Sequence, residues 1–352
     1  MHLVEALVRL PLGGNGLIFA AAAAGVWYAG SRLPAYADEL SDRYRIGHAF
    51  MGLVLLATAT SLPEIVTTVT GALAGAAHLV LNNMFGGIAM QTAILAVADA
   101  FAGRAPLTSY PRKPTSILES GVLVLLLALT LAVLTLGEVE IVPGIGAGAL
   151  IVGIAYGAVV YLLRRYDEQT VWTPVEILEA VEERVRIPGG GPLTDASRRQ
   201  LILAVAAAAL MILVCGIVLV ATAEAIATQS GLGESFIGAT LLAAVTSLPE
   251  VSVTIAAVRM GAYTMAISNI FGSNLLMLAL ILPADIFFLG DPILVYADRS
   301  AQFALIAGIV TTAFYTCGLV LRSRFKLGIM GLDSVCVFAT YLVTLTGLYA
   351  LR

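Results

Sequence analysis

Apolar residues run along this chain in blocks of about twenty or more, separated by short polar breaks. That rhythm predicts helices that cross a bilayer, because about 20 apolar residues at 1.5 Å each span its hydrocarbon core. Ten such blocks occur, near 15–40, 47–71, 77–101, 115–136, 142–164, 200–228, 235–259, 263–289, 301–321 and 330–350. The widest polar stretch, 165–199, separates five blocks from five. The predicted organisation is an all-α polytopic membrane protein: a first five-helix half over 1–164, a connecting loop over 165–199 and a second five-helix half over 200–352. Within the loop, 174–185 is expected to form a short amphipathic helix and Pro188-Gly189-Gly190-Gly191-Pro192 a flexible break.

Composition agrees. Apolar residues make up 59% of the chain and charged residues 12%, against about 25% charged in a soluble globular protein, and the mean hydropathy is +0.96. Basic residues sort to one side of the predicted membrane. Arg43, Arg45, Arg104, Arg112, Lys113, Arg259, Arg322, Arg324 and Lys326 fall on the side of the 165–199 loop, whereas Arg9, Arg299 and Arg352 fall on the other with Glu138 and Glu140. The Lys/Arg excess marks the loop side as cytoplasmic. Both termini are therefore expected outside the cytoplasm, and the expected location is a prokaryotic cytoplasmic (inner) membrane. The Ala-rich first block lacks a basic leading segment and is followed by further spans, so it reads as a membrane helix and not a cleaved signal. Cys215, Cys317 and Cys336 lie in apolar runs, an odd set that argues for packing and against a disulfide framework. No basic tract points to nucleic acid, and no obligate protein partner is indicated; the expected partners are the lipid bilayer and inorganic cations.

Two blocks carry the same pentapeptide, Thr60-Ser61-Leu62-Pro63-Glu64 and Thr246-Ser247-Leu248-Pro249-Glu250. A carboxylate at the centre of a spanning helix costs about 2.5–3.5 kcal/mol even on lenient insertion scales. Proline has no N–H to give the carbonyl four residues back, which frees that of Ala59 and that of Val245. Carbonyls, hydroxyls and a carboxylate together are hard oxygens, the ligands Na+ and Ca2+ prefer. A Ser/Thr-Pro kink for bending alone is the bland reading of one copy; two copies in matched surroundings ask for more. A shift of 186 positions, the distance from Glu64 to Glu250, aligns Gly52 with Gly238, Ala57 with Ala243, Thr68 with Thr254, Gly75 with Gly261, Asn83 with Asn269, Phe85 with Phe271, Gly86 with Gly272 and Asp99 with Asp285. Chance likeness of two greasy helices would match Leu and Ala, not a polar set in register. Five crossings separate the copies, and five is odd, so the second copy enters the membrane from the opposite face. Such inverted repeats are how secondary transporters build midplane sites on interrupted helices.

The paired pentapeptides, followed by Asn83-Met84-Phe85-Gly86 and Asn269-Ile270-Phe271-Gly272-Ser273-Asn274, resemble the alpha-repeats of the cation/calcium antiporter superfamily, most closely its sodium/calcium exchanger branch, over nearly the whole chain. The resemblance implies Glu64 and Glu250 as central cation ligands. It implies hydroxyl or carbonyl oxygens from Thr60, Ser61, Thr246 and Ser247, backbone carbonyls from Ala57 and Ala243, and a further ligand in Ser273, whose aligned position in the first copy is Gly87. Four residues on, where the family carries Asn or Asp, this chain has Gln91 and Met277. Gln91 keeps an oxygen and stays in the expected ligand set. A thioether is a poor partner for a hard cation, so Met277 subtracts an oxygen, and often a charge. Asn83, Asn269, Asn274 and Met277 are expected to stand behind the ligands.

The function so implied is secondary antiport, Ca2+ exchanged for Na+ or H+ by alternating access around Glu64 and Glu250, with no cofactor. Two carboxylates as the only charged ligands balance one Ca2+, two monovalent ions or two protons, which fits proton coupling better than a large sodium load. A Na+/H+ or other divalent-cation exchanger is the alternative within the class. A passive channel is disfavoured by the inverted repeats, and an intramembrane metal-dependent enzyme is a remote alternative. The chain has no His-Glu-x-x-His, Gly-x-Ser-x-Gly or nucleotide-binding loop, so no enzyme activity is expected. By family analogy the first and sixth helices are expected to slide. Among other polar residues, Asp38 and Glu224 read as helix-end carboxylates, Asp99 and Asp285 as structural or vestibule groups, Glu119 and Asp333 as ordinary first-turn acids, and His48 and His78 as solvated. Gly75, Gly86, Gly261 and Gly272 are expected to permit close helix packing. Arg32 has no functional reading; its place within the first block suggests a tilted helix or one that ends early.

Overall fold

Helices follow the apolar blocks closely. The structure, a computed structural model, describes residues 2–167, 197–230 and 244–351; the readings at 174–185 and 188–192 lie outside them. A short α1 (His2–Val8) precedes α2 (Leu12–Gly30) and α3 (Leu33–Tyr44), so the first block is two helices. The break falls at Ser31-Arg32, where the Arg32 guanidinium stands 3.8 Å over the Tyr28 ring; the misfit arginine marks an early helix end. The second block is α4 (His48–Thr60) and α5 (Leu62–Leu73), bent by 52° between them. Next come α6 (Ala77–Asp99), α7 (Thr115–Leu136) and α8 (Ala147–Asp167). The second half holds α9 (Arg198–Ser230), α10 (Leu248–Arg259), α11 (Tyr263–Ala279), its continuation α12 (Ile281–Phe287), α13 (Arg299–Leu321) and α14 (Leu332–Ala350). Among the described residues eight helices are long and apolar enough to cross a membrane, or nine with the bent pair as one span. The seventh block, 235–259, is represented by α10, since its beginning falls within 231–243, outside the described residues. This is an all-α polytopic membrane protein.

The helices that carry Asn83 and Asn269, α6 and α11, are the most enclosed, and the largest apolar cluster forms on them through Leu81, Phe85, Leu95, Phe271, Leu275 and Leu278. Around them α8, α9 and α14 turn Ile154, Tyr161, Leu210 and Val343 outward, as helices bordered by hydrocarbon do. Cys317 is exposed on that rim and not a buried packing residue, while Cys215 and Cys336 are half-buried; all three are free. Along the rim α2 and α9 pack side by side, so closely that a Cβ on Gly25 would stand 2.7 Å from Cys215 Sγ.

Two short β-hairpins, not foreseen from the apolar pattern, precede the last helix of each half: β1 (Glu140–Val142) with β2 (Ile145–Gly146), and β3 (Lys326–Leu327) with β4 (Met330–Gly331). Their turns use Gly144 and Gly328 at φ of 78° and 69°, a region open to glycine without steric cost. Each hairpin is pinned by an aspartate from the opposite half. Asp285 accepts N–H bonds from Gly146 at 2.8 Å and Ile293 at 2.6 Å; Asp99 accepts from Gly331 and Leu107. The two acids are structural clamps in mirrored places.

Three expectations are corrected. Gly75 and Gly261 serve turns at φ of 75° and 80°, not helix contacts. Gly272 does pack closely, its missing Cβ facing the Leu53 backbone, whereas nothing described lies within 4 Å of a Cβ on Gly86. Glu119 is no ordinary first-turn acid: it is fully buried and accepts from Ser268 Oγ at 2.7 Å.

Candidate functional site

Leu62-Pro63 and Leu248-Pro249 open α5 and α10, the one helical position where a missing N–H and a fixed φ do no harm. The preceding serines take the same non-helical geometry, Ser61 at φ −84°, ψ 9° and Ser247 at φ −85°, ψ 3°. Glu64 and Glu250 thereby fall in the first turns of their half-helices, where the positive end of the helix dipole favours an anion. Just upstream, Met51–Leu56 is a π-helical segment, a wide turn found disproportionately at functional sites. Nothing in its residue types announces it. Gly52 lets it press against α11: a Cβ there would meet Met265 O at 2.5 Å and Ser268 Cβ at 2.9 Å.

The two glutamates meet. Glu64 is 1% exposed and Glu250 0%, and their carboxylates are close enough to interact electrostatically. Ser61 Oγ donates to Glu250 Oε1 at 3.3 Å, and the hydroxyls of Thr60 and Ser273 face the same carboxylate. Thr60 Oγ1 also donates to Ala57 O at 3.2 Å and lies 3.4 Å from Ser273 Oγ. Ala57, Thr60 and Ser61 of the first copy thus gather with Glu250 and Ser273 of the second. Both oxygens of Glu64 and Oε2 of Glu250 are buried without a hydrogen-bond partner among the described residues. Buried polar atoms are almost always satisfied, so this acidic pair calls for cations or protons.

The remaining candidates sort as follows. Thr246 and Ser247 are buried at the mirrored break, and Ala243 lies outside the described residues. Gln91 is fully buried, with neither amide atom partnered among the described residues. Met277 is buried with its methyl against Gly87, so that a Cβ there would stand 2.8 Å from Met277 Cε. The thioether of one copy fills the space left by the missing side chain of the other. Asn269 donates to Thr254 Oγ1 at 3.2 Å and Asn274 to Thr92 Oγ1 at 3.2 Å, whereas Asn83 is only half-buried. Sequence reasoning missed Gly30 and Gly216, which also align at a shift of 186. Gly216 of α9 lies flat on Pro63, 2.5 Å from Cγ for an added Cβ, and Gly30 of α2 faces Ser252 and Val253 of α10. Among the described residues no group of three or more His, Cys, Asp and Glu side chains assembles; the site is two carboxylates among hydroxyls, carbonyls and amides.

Paired buried acids where mirrored broken helices meet define a class, the secondary transporter built from two repeats. The sodium/calcium exchanger protein family matches residues 15–164 and 200–350, and the chain belongs to that family. The fold is that of the sodium-calcium exchanger NCX_Mj. Against its structure soaked with 10 mM Na+ and zero Ca2+ the TM-score is 0.70 at 16% identity, over 96% of this chain and 99% of that one. Against the structure soaked with 100 mM Na+ and 10 mM Sr2+ it is 0.69 at 16% identity over the same shares. Against the one with zero Na+ and Ca2+ it is 0.66 at 17% identity, over 95% and 98%. Comparison with curated proteins finds no match. The chain is a membrane cation antiporter of this family.

Proposed function

We propose that this antiporter exchanges Ca2+ for protons or Na+ by alternating access, with protons the better-matched counter-ion. Glu64 and Glu250 take the cation, helped by Thr60, Ser61, Ser273 and the Ala57 carbonyl, with Thr246, Ser247, Ala243 and Gln91 completing the ligand set. The observation that carries this reading is the meeting of the two buried acids, one from each repeat, with three carboxylate oxygens unpartnered among the described residues.

Ca2+ seeks six to eight oxygens and is neutralised by two carboxylates. Once it leaves, two bare carboxylates in a low dielectric repel each other and lack solvation, so the pair must be reloaded before the carrier turns. That obligation is the coupling. Met277 against Gly87 puts apolar atoms where the resemblance expects oxygens, which leaves no charge for a third monovalent ion. Two protons on two glutamates balance one Ca2+ without additional ligands. Movement is assigned to the α2–α9 pair, whose glycines rest on the kinked helices at different levels, Gly216 on Pro63 and Gly30 on Ser252. The Lys/Arg distribution supports an orientation with the Lys326 face in the cytoplasm and both termini outside.

Reconstituted protein tests the reading. Labelled Ca2+ should enter vesicles under an imposed pH gradient and respond less to a Na+ gradient. Uptake with neither gradient would indicate a channel and overturn it.

A further inference from the structure

A buried polar atom without a partner costs about 1–3 kcal/mol and is rare. Beyond the glutamates, a set of such atoms in this protein falls into a line. Among the described residues Asn274 Oδ1, Thr312 Oγ1, Tyr315 OH, Ser334 Oγ and Asp333 Oδ2 are buried and unpartnered. They follow a seam where α6, α11, α13 and α14 meet. Helices α6 and α13 run parallel, for Ser300 Oγ donates to Asn82 Oδ1 at 2.7 Å and, further along both, a Cβ on Gly308 would stand 3.2 Å from Ile88. One turn beyond that contact, helix geometry sets Thr312 level with Thr92, and the next turn sets Tyr315 level with Leu95.

The seam connects at both ends. At the level of Thr92, Asn274 of α11 donates to the Thr92 hydroxyl, and Asn274 follows Ser273, whose own hydroxyl faces Glu250. Tyr315 is fully buried with its ring edge-on to Phe271, 5.7 Å between centroids, and it interacts electrostatically with Asp333 and Asp99. Ser334 stands beside Asp99, and Asp333 lies over Gly318. Asp333 is only half-buried, so the line ends at the surface on the Lys326 side. The charged groups around Tyr315 are Asp333 of α14, Asp99 of α6 and, beyond Asp99, Lys326 of β3. The fold does not require this polarity. At a shift of 186 Asn274 mirrors Ile88, and with the hairpin glycines Gly331 and Gly146 in register, a shift of 185, Asp333 and Ser334 mirror Gly148 and Ala149, none with a polar side chain.

We propose that the seam is a proton path joining the Lys326 face to Glu250, with waters bridging the side chains. A proton taken up by Asp333 passes through the Ser334, Tyr315 and Thr312 hydroxyls, each oxygen accepting one proton as it releases another. Water held by Asn274 and Thr92 hands it to Ser273 and so to the Glu250 carboxylate, whose negative charge it cancels as Ca2+ leaves. Each hydroxyl is left neutral, Asp333 returns to the carboxylate it was before it took up the proton, and no other reactant is consumed. The path rests on the proton reading of the counter-ion.

The test uses full-length protein in proteoliposomes and two fluxes: Ca2+ uptake driven by a pH gradient, and exchange of labelled for unlabelled Ca2+ at equal pH, which moves no proton. Tyr315→Phe keeps the ring against Phe271 and removes only the hydroxyl. It should slow pH-driven uptake by on the order of 10²-fold, the low end of what a positioned proton-transfer group contributes, and leave Ca2+/Ca2+ exchange at the wild-type rate. Thr312→Val should act in the same direction. Equal loss of both fluxes, or none in pH-driven uptake, overturns the path while the proton reading stands. A wild-type protein driven by Na+ and indifferent to pH overturns both.

Discussion

Replacing Met277 by aspartate installs one of the two residues, Asn or Asp, that the family resemblance implies at this position, and the structure allows its consequences to be scaled. Met277 is 1% exposed and fills the space over Gly87. Truncating a buried methionine costs about 2–5 kcal/mol, and a third carboxylate near two others adds several more unless a cation accompanies it. Met277→Asp should therefore lose about 5 kcal/mol or more in Na+-free medium, a loss comparable with the whole stability of many domains. Na+ bound at about a hundred times its Kd returns about 2.7 kcal/mol. The melting temperature of the purified variant should then rise by a few degrees from choline chloride to NaCl, while that of the native protein stays nearly constant. In vesicles the variant should gain Na+-driven Ca2+ uptake. If melting and ion preference are both indifferent to Na+ in the variant, the assignment of Met277 to a missing cation ligand is wrong.

Other perturbations follow from the same geometry. Asp285→Ala leaves the Gly146 and Ile293 N–H groups buried without their acceptor, so stability measured by denaturation should fall by about 2–6 kcal/mol; a loss below about 1 kcal/mol would contradict the clamp. Gly216→Leu puts a side chain where Pro63 lies; overpacking of about 1–3 kcal/mol should slow Ca2+ turnover by about tenfold or more while calorimetric Ca2+ affinity changes by less than about threefold. Unchanged turnover would show that α9 does not move across α5.

Much of this was legible in the chain because a bilayer leaves few options. A span must be helical and apolar, so the block boundaries fell within a few residues of α6, α7, α9, α13 and α14. The acidic pair was legible for the same reason, since Glu64 and Glu250 have no business in hydrocarbon without a partner. Features set by contact between halves were not. The π turn at Met51–Leu56 goes with the close approach of Gly52 to α11, and its residue types carry no local signal for it. The hairpins are held by aspartates 139 and 232 positions away, a distance no local pattern conveys. Glu119 looked like a helix-start acid because its burial comes from Ser268 on another helix. Tyr315 and Thr312 carry no local signal within an apolar block; only their unpartnered buried hydroxyls in the fold set them apart.

The central claim is that Glu64 and Glu250 are one shared cation site. Ca2+ uptake into proteoliposomes under a pH gradient and under a Na+ gradient, with Glu64→Gln and Glu250→Gln beside the native protein, tests it most directly. Each substitution removes one of the two charges that balance Ca2+, so either alone should abolish coupled uptake under both gradients while the proteins remain folded. Full coupled uptake in both variants would show that these carboxylates do not carry the ion.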